Sequence, residues 1–337
     1  MLRTRSFGEG NSSDMSLSAR IEALLRETYA LWEPGWVTFN WRNYTYDHVQ
    51  RVRGLALSLC RAEGGDERIV EWAALLHDLT KPYDGEYLTD AEGKRLVDEH
   101  GFWRNALRPP MRRNLVTDLY DRLGLAGSLH NESGAALAEA LLTMWGVEGE
   151  VTRRVAQTIR DHLLPPPDAP IESACLYDAD TIDANIGLPA LVRNIYINLH
   201  FYDARRQPGA PTLDEVLQGA PLDFLRPYIT ENLPRWNAGK RRDFVPKLRT
   251  ETGRRVAEAR LARLEAILAE LAQDLERFDG GADHSPVDVM LHYMRHREEP
   301  SIAEETAYLA QVWLAHGVPE ATRRLLMALQ CEMCGEW

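Results

Sequence analysis

The sequence predicts an all-α protein. From Ser16 onward apolar residues recur at spacings of three and four, alternating strand-like runs are scarce, and the periodic segments stop at residues that break helices. The first segment is SARIEALLRETYALW (18–32). YDHVQRVRGLALSLC (46–60) follows and stops at Glu63-Gly64-Gly65, and ERIVEWAALLHDL (67–79) runs up to Pro82. ESGAALAEALLTMW (132–145) ends at Gly146, and EVTRRVAQTIRDHLL (150–164) ends at Pro165-Pro166-Pro167. SACLYDADTIDA (173–184) and the long RTETGRRVAEARLARLEAILAELAQDL (249–275) complete the strong helical patterns.

Between these segments the chain reads as loop. Residues 1–15 are polar and rich in Gly, Ser and Asn, with a second methionine at Met15, and are expected to be a loose tail or an upstream start. Residues 82–127 look irregular and include GFWRNALRPPMRRN, in which Arg104, Arg108, Arg112 and Arg113 meet no acidic residue. Residues 205–245 are rich in proline and glycine, and RFDGGADHSP (277–286) reads as a linker. The expected organisation is therefore a tail (1–15), a helical domain (16–278) with an insert (82–127), and a C-terminal helical extension (279–337).

Composition excludes several classes of function. The 337 residues carry 39 Lys+Arg against 51 Asp+Glu, a formal net charge of −12. A general nucleic-acid binder needs a basic face to displace counterions from phosphates, so none is expected. With 45% hydrophobic residues the chain can bury a core. No apolar run approaches the roughly 18 residues of a membrane helix, and no apolar stretch follows the arginines near the start as in a secretory signal. Cys60, Cys175, Cys331 and Cys334 are too scattered for a disulfide framework. The expectation is a soluble, cytoplasmic protein.

Five histidine and aspartate positions stand out. His48 lies in line with Val52, Leu55 and Leu59; His77-Asp78 ends an apolar helix; His130 opens ESGAALAEALL; His162 follows Val151, Val155 and Ile159; Asp180 shares a face with Leu176. Imidazoles and carboxylates aimed into a core are costly unless paired or ligated. A single inward histidine is more often a hydrogen-bonded core residue than a ligand. Five helices each delivering one are harder to dismiss, and pattern alone leaves a metal site and a set of satisfied core residues both open.

The order His48, His77-Asp78, Asp180 resembles the H…HD…D pattern of the HD superfamily of metal-dependent phosphohydrolases. The contexts YDHVQRV, ALLHDLTKP and LYDADTIDANIG are similar to those of the family, and HNESGAALAEALL and IRDHLL resemble segments that carry two further histidines in many members. FVPKLRTETGRRVAEARLARLEAIL resembles the closing helix of a bacterial subgroup of small HD hydrolases, so the likeness spans roughly residues 40–278. It implies an HD-domain helical bundle with extra loops and a C-terminal helical extension.

Residue by residue, the resemblance implies that His48, His77, Asp78 and Asp180 hold a divalent metal. Asp78 would bridge to a second ion, with His130 and His162 as its ligands or as substrate-facing residues. With a single ion, those two histidines would bind phosphate or pass protons. Imidazole-rich sites suit Mn, Fe, Co, Ni or Zn better than Mg. One or two such ions would supply a water nucleophile and stabilise the transition state. Lys81 in HDLTK matches a frequent family lysine and would touch phosphate, with a solvated helix-end cation as the plain alternative. Arg193 in LPALVRN matches a family arginine near the pocket. Asp78, Lys81, His130, His162 and Arg193 thus form the implied catalytic set. The arginines 104–113 would act as a lid if that loop folds over the site, and Glu132 is most simply a helix N-terminal carboxylate.

The implied substrate is a small phosphorylated molecule, a phosphomonoester or a nucleotide. Two rivals accompany it. Some HD relatives use all six positions to hold two irons and oxidise a carbon substrate with O₂, and a non-catalytic module would only sense a nucleotide. The segment between Asp78 and His130 is longer than in compact members, residues 205–245 and the C-terminal extension are additions, and specificity does not carry over. Among weaker signals, Cys331 and Cys334 form CEMC, which His292 and His296 would complete as a zinc set, although a frayed tail is the simpler reading. Trp32, Trp36 and Trp41 read as core packing. No glycine-rich phosphate loop is present.

Overall fold

The structure is a computed structural model and describes residues 16–37, 41–278 and 284–336. The tail expected at 1–15 and residues 279–283 of the expected linker lie outside the described residues. Helix α1 (Leu17–Tyr29) is capped by Ser16, whose hydroxyl accepts from Ala19 N–H. Helix α2 (Arg42–Glu63) stops at Gly64, whose φ of 81° lets its N–H reach the Cys60 carbonyl. Helix α3 (Glu67–Leu76) is capped by Asp66, and the chain then turns at His77.

The insert is less irregular than its sequence suggests. A single 3₁₀ turn leads into strands β1 (Asp84–Tyr87) and β2 (Asn105–Leu107), paired antiparallel with Asp84 opposite Leu107 and Tyr87 opposite Asn105. Between them the chain folds back twice at similar turns. Asp90 accepts from the N–H groups of Glu92 and Lys94, and Asp98 accepts from those of His100 and Phe102. Gly93 and Gly101 supply the left-handed residue in each turn. Gly85 is required for closeness: a Cβ there would lie 2.6 Å from the Ala106 carbonyl oxygen. Strands of three and four residues leave no alternation to read, which is why the sequence shows only a loop. Helix α4 (Leu115–Arg122) follows, with a capping box on Asn114.

Helices α5 (His130–Met144), α6 (Gly149–Asp161) and α7 (Ile171–Asn185) complete the first half. α5 packs on α6, α2 on α3 and α7, and α3 on α6. Their apolar faces close one core, with Ile69, Ala73, Leu137, Val155 and Leu176 fully buried.

The second half contains α8 (Leu188–His200), α9 (Tyr202–Arg205), α10 (Leu213–Gly219), α11 (Pro221–Pro227) and α12 (Leu233–Asp243). Residues 205–245, expected to be irregular, are therefore mostly short helices. Pro221 sits in a first turn, where a missing N–H costs nothing. Helix α13 (Glu251–Arg277) spans both halves. Its start is fixed by buried Asp178 of α7, which accepts from the N–H groups of Arg249 and Thr250 at 2.7 and 2.8 Å.

Helices α14 (Pro286–Arg295), α15 (Ile302–Trp313) and α16 (Glu320–Met333) share a second core with α8, the latter part of α13, and Trp41 and Tyr44 near the start of α2. Polar anchors join them to α2 and α8. Ser301 Oγ donates to Asp47 at 2.8 Å, and Leu188 N–H donates to Glu332 at 2.8 Å. Trp32 and Trp41 are core residues, while Trp36 stacks on His200. The fold is all-α apart from the hairpin insert. Among the described residues no helix is long and apolar enough to cross a membrane.

Candidate metal centre

The centre lies where five helical elements converge. α2 presents His48, the turn after α3 presents His77 and Asp78, α5 opens with His130, α6 closes with His162, and α7 presents Asp180. Ligand-type atoms of His48, His77 and Asp180 all lie within 4.8 Å of one another, and the same holds for Asp78, His130 and His162. The two groups adjoin: Asp78 Oδ2 is 3.8 Å from His48 Nε2 and 3.7 Å from His77 Nε2, while its Oδ1 is 3.5 Å from His130 Nε2. Asp78 thus stands between the two imidazole sets.

The hydrogen bonds of the rings bear directly on whether a metal fits. Nδ1 of His77 is 2.7 Å from the Ala74 carbonyl, and Nδ1 of His162 is 2.7 Å from the Ile159 carbonyl. A carbonyl only accepts, so each Nδ1 carries the proton and each Nε2 presents a lone pair. Both Nε2 atoms are buried without a hydrogen-bond partner. Two orphaned buried acceptors facing one cluster of carboxylates are costly in a plain core and natural as metal ligands. Burial and the neighbouring imidazoles of His77 and His130 push His162 down to about 3, so it stays neutral, the form that ligates.

His48 is oriented from behind. Its Nδ1 lies 2.7 Å from Asp183 Oδ2, and Asp183 also receives Arg51 Nε and Nη2 at 2.8 and 3.0 Å. Its Nε2 is 3.0 Å from Asp180. Burial lowers the His48 pKa, but the carboxylates of Asp180 and Asp183 overcome this and raise it to about 9. Burial raises Asp78, and the electrostatic pull of its neighbours, His77, His130, Lys81 and His48, overrides it, holding the carboxyl far below the usual range.

Lys81 and Arg193 both line a cavity of about 670 Å³ that reaches the centre at His130. Lys81 Nζ is 3.0 Å from Asp84 and 3.4 Å from His130 Nδ1. The Arg193 guanidinium lies over the Tyr44 ring at 5.3 Å. From the insert, Arg104 also lines this cavity, together with Trp103. The other arginines of the insert turn elsewhere. Arg108 and Arg112 donate to the carbonyls of Glu33 and Ala30, and Arg113 pairs with Asp118 and Asp121. The lid expected of this cluster thus reduces to Arg104, because the carbonyls after α1 and the acidic face of α4 take up the rest. Glu132 pairs with Arg160 at 3.1 Å rather than with His130. The CEMC cysteines join no metal-competent group among the described residues; His292 and His296 group with Glu305 instead.

Three site residues escape a reading by types alone. Asp183 stands three residues after Asp180 and Arg51 three after His48, one helical turn along the same face, and that spacing was a usable signal. Asp84 had none, because only the return of β1 brings it to Lys81 and His130.

Residues 45–185 match the family model of the HD domain, an interval that contains all six converging residues. The chain carries an HD domain. It is similar to the crystal structure of Bacillus subtilis YpgQ, with 18% identity over 76% of this chain and 94% of that one and a TM-score of 0.37. It is also similar to YpgQ in complex with ADP, with 18% identity over 78% and 95% and a TM-score of 0.38. A third similar structure is a predicted HD superfamily hydrolase from an uncultured Thermotogales bacterium, with 22% identity over 65% and 92% and a TM-score of 0.35. No curated protein matches the sequence. HD domains are metal-dependent, and the HD domain here contains both His/Asp groups.

Proposed function

We propose that the protein is a metal-dependent phosphohydrolase with a dinuclear centre, acting on a small phosphomonoester or nucleotide. His48, His77 and Asp180 would hold one ion, His130 and His162 the other, and Asp78 would be shared between them. Mn, Fe, Co, Ni or Zn suits these donors. When bound, such ions bring a water's pKa towards neutrality and polarise a phosphoryl oxygen.

The chain's own residues would do the rest. Lys81 and Arg193 would balance negative charge on the phosphoryl oxygens. His130, with Nδ1 3.5 Å from Asp84 Oδ2, would be oriented by that carboxylate so that Nε2 faces the ion. The observation that carries the reading is the meeting of the six-residue centre with a cavity lined by Lys81, Arg104 and Arg193. These three cations, set beside Asp84 and Asp98 in the same lining, favour a phosphorylated substrate over a neutral carbon substrate of an oxygenase. The ADP bound to YpgQ is of the same chemical class.

The test is to strip the protein with a chelator, reload it with each metal in turn, and offer a panel of nucleotides and sugar phosphates. Metal-dependent phosphate or pyrophosphate release without O₂ uptake is expected. Di-iron loading with O₂ consumption and no release would replace this reading with the oxygenase.

A further inference from the structure

A second cluster lies away from the HD centre. α14 carries His292, and His296 follows at its C-cap, with the two ring centroids 4.2 Å apart. α15 brings Glu305 against them. Its Oε2 is 2.5 Å from His292 Nε2 and 4.0 Å from His296 Nδ1. In tetrahedral coordination with bonds near 2.1 Å, neighbouring donor atoms sit about 3.4 Å apart. The two separations straddle that value, and ligand-type atoms of all three residues lie within 4.8 Å of one another.

The surroundings suit a ligated site. The His292 ring is held by stacking on Tyr308, centroid distance 5.6 Å, and its side chain is 12% exposed. His296 is 49% exposed, which leaves an entry path and a ring free to turn from the His292 carbonyl that its Nδ1 now meets at 2.9 Å. The chemistry is that of two imidazoles, one carboxylate and an open fourth position.

We infer that His292, His296 and Glu305 form an additional divalent-cation site, of zinc type, that staples α14 to α15. It is independent of the HD centre and of the reaction proposed there. Its reach is structural: α15 begins at Ser301, whose hydroxyl holds Asp47, the residue before His48. Fixing α15 therefore steadies the start of α2.

The experiment is a Zn²⁺ titration of the chelator-stripped full chain against a metal-binding dye, with thermal melts in parallel. Wild type should take about one equivalent more than His296→Ala, and Glu305→Gln should lose the same equivalent while keeping a hydrogen bond to His292. In a His77→Ala/Asp78→Ala chain, which lacks the HD ligands, Zn²⁺ should still raise the melting temperature, and adding His296→Ala should remove that rise. Equal zinc uptake and an equal melting response with and without His296→Ala would leave only a hydrogen-bonded pair and overturn the site. That failure would not touch the HD centre, which is read from the His77→Ala/Asp78→Ala loss alone.

Discussion

At the HD centre three imidazole rings are oriented before any metal arrives. His77 and His162 each spend Nδ1 on the carbonyl three residues back, and His48 spends it on Asp183, so three rings turn Nε2 inward. Asp183 is the carboxylate behind the His48 imidazole, and it is itself held by the buried Arg51. Replacing it by Asn should weaken metal affinity about 10- to 100-fold, measured by dye competition, with helicity unchanged. An Asp183→Asn chain that binds metal as tightly as wild type would show that His48 needs no such orientation. The six inward residues were legible because each interrupts an apolar stripe. Asp183 and Arg51 were overlooked although they stand one turn from such residues, since a charged residue near a helix end reads equally well as solvated.

Among the elements, the hairpin insert is what the helical periodicity concealed. Its strands are too short to alternate, and its turns depend on Asp side chains and left-handed glycines whose partners are local. It delivers Arg104 to the cavity wall and leaves Arg112 and Arg113 on the α1 and α4 side. Arg104→Ala should therefore raise KM for a phosphorylated substrate about tenfold or more, the value of one charge-assisted contact, with kcat changed less. Neutralising Arg112 and Arg113 together should leave KM within about twofold, since exposed ion pairs contribute little. The reverse pattern in steady-state kinetics would mean that the insert closes over the site differently. α13 was plain from its length and pattern, but its docking on Asp178 was not, because a buried aspartate that caps another helix has no local mark.

Over the whole molecule two cores share α2 and α13, and the C-terminal helices belong to the second. Sequence showed these helices only as an extension, because the residues they pack on, such as Leu191 and Leu264, lie far away in the chain. We propose that residues 284–336 brace the HD centre by gripping α2 through Asp47 and α8 through Glu332. Leu326, fully buried in α16, should then cost about 2–5 kcal/mol on truncation to Ala in urea unfolding. A cost below about 0.5 kcal/mol, typical of a surface site, would mean the extension is not part of the cooperative fold.

The central claim is that six residues from separate elements form one dinuclear metal centre. The most direct measurement is elemental analysis of the purified wild-type chain beside His77→Ala/Asp78→Ala, with circular dichroism as the check on folding. The account predicts that the double variant keeps its helicity, carries about two fewer divalent ions per chain, and loses metal-dependent phosphate release. Equal metal content in the two proteins would contradict it.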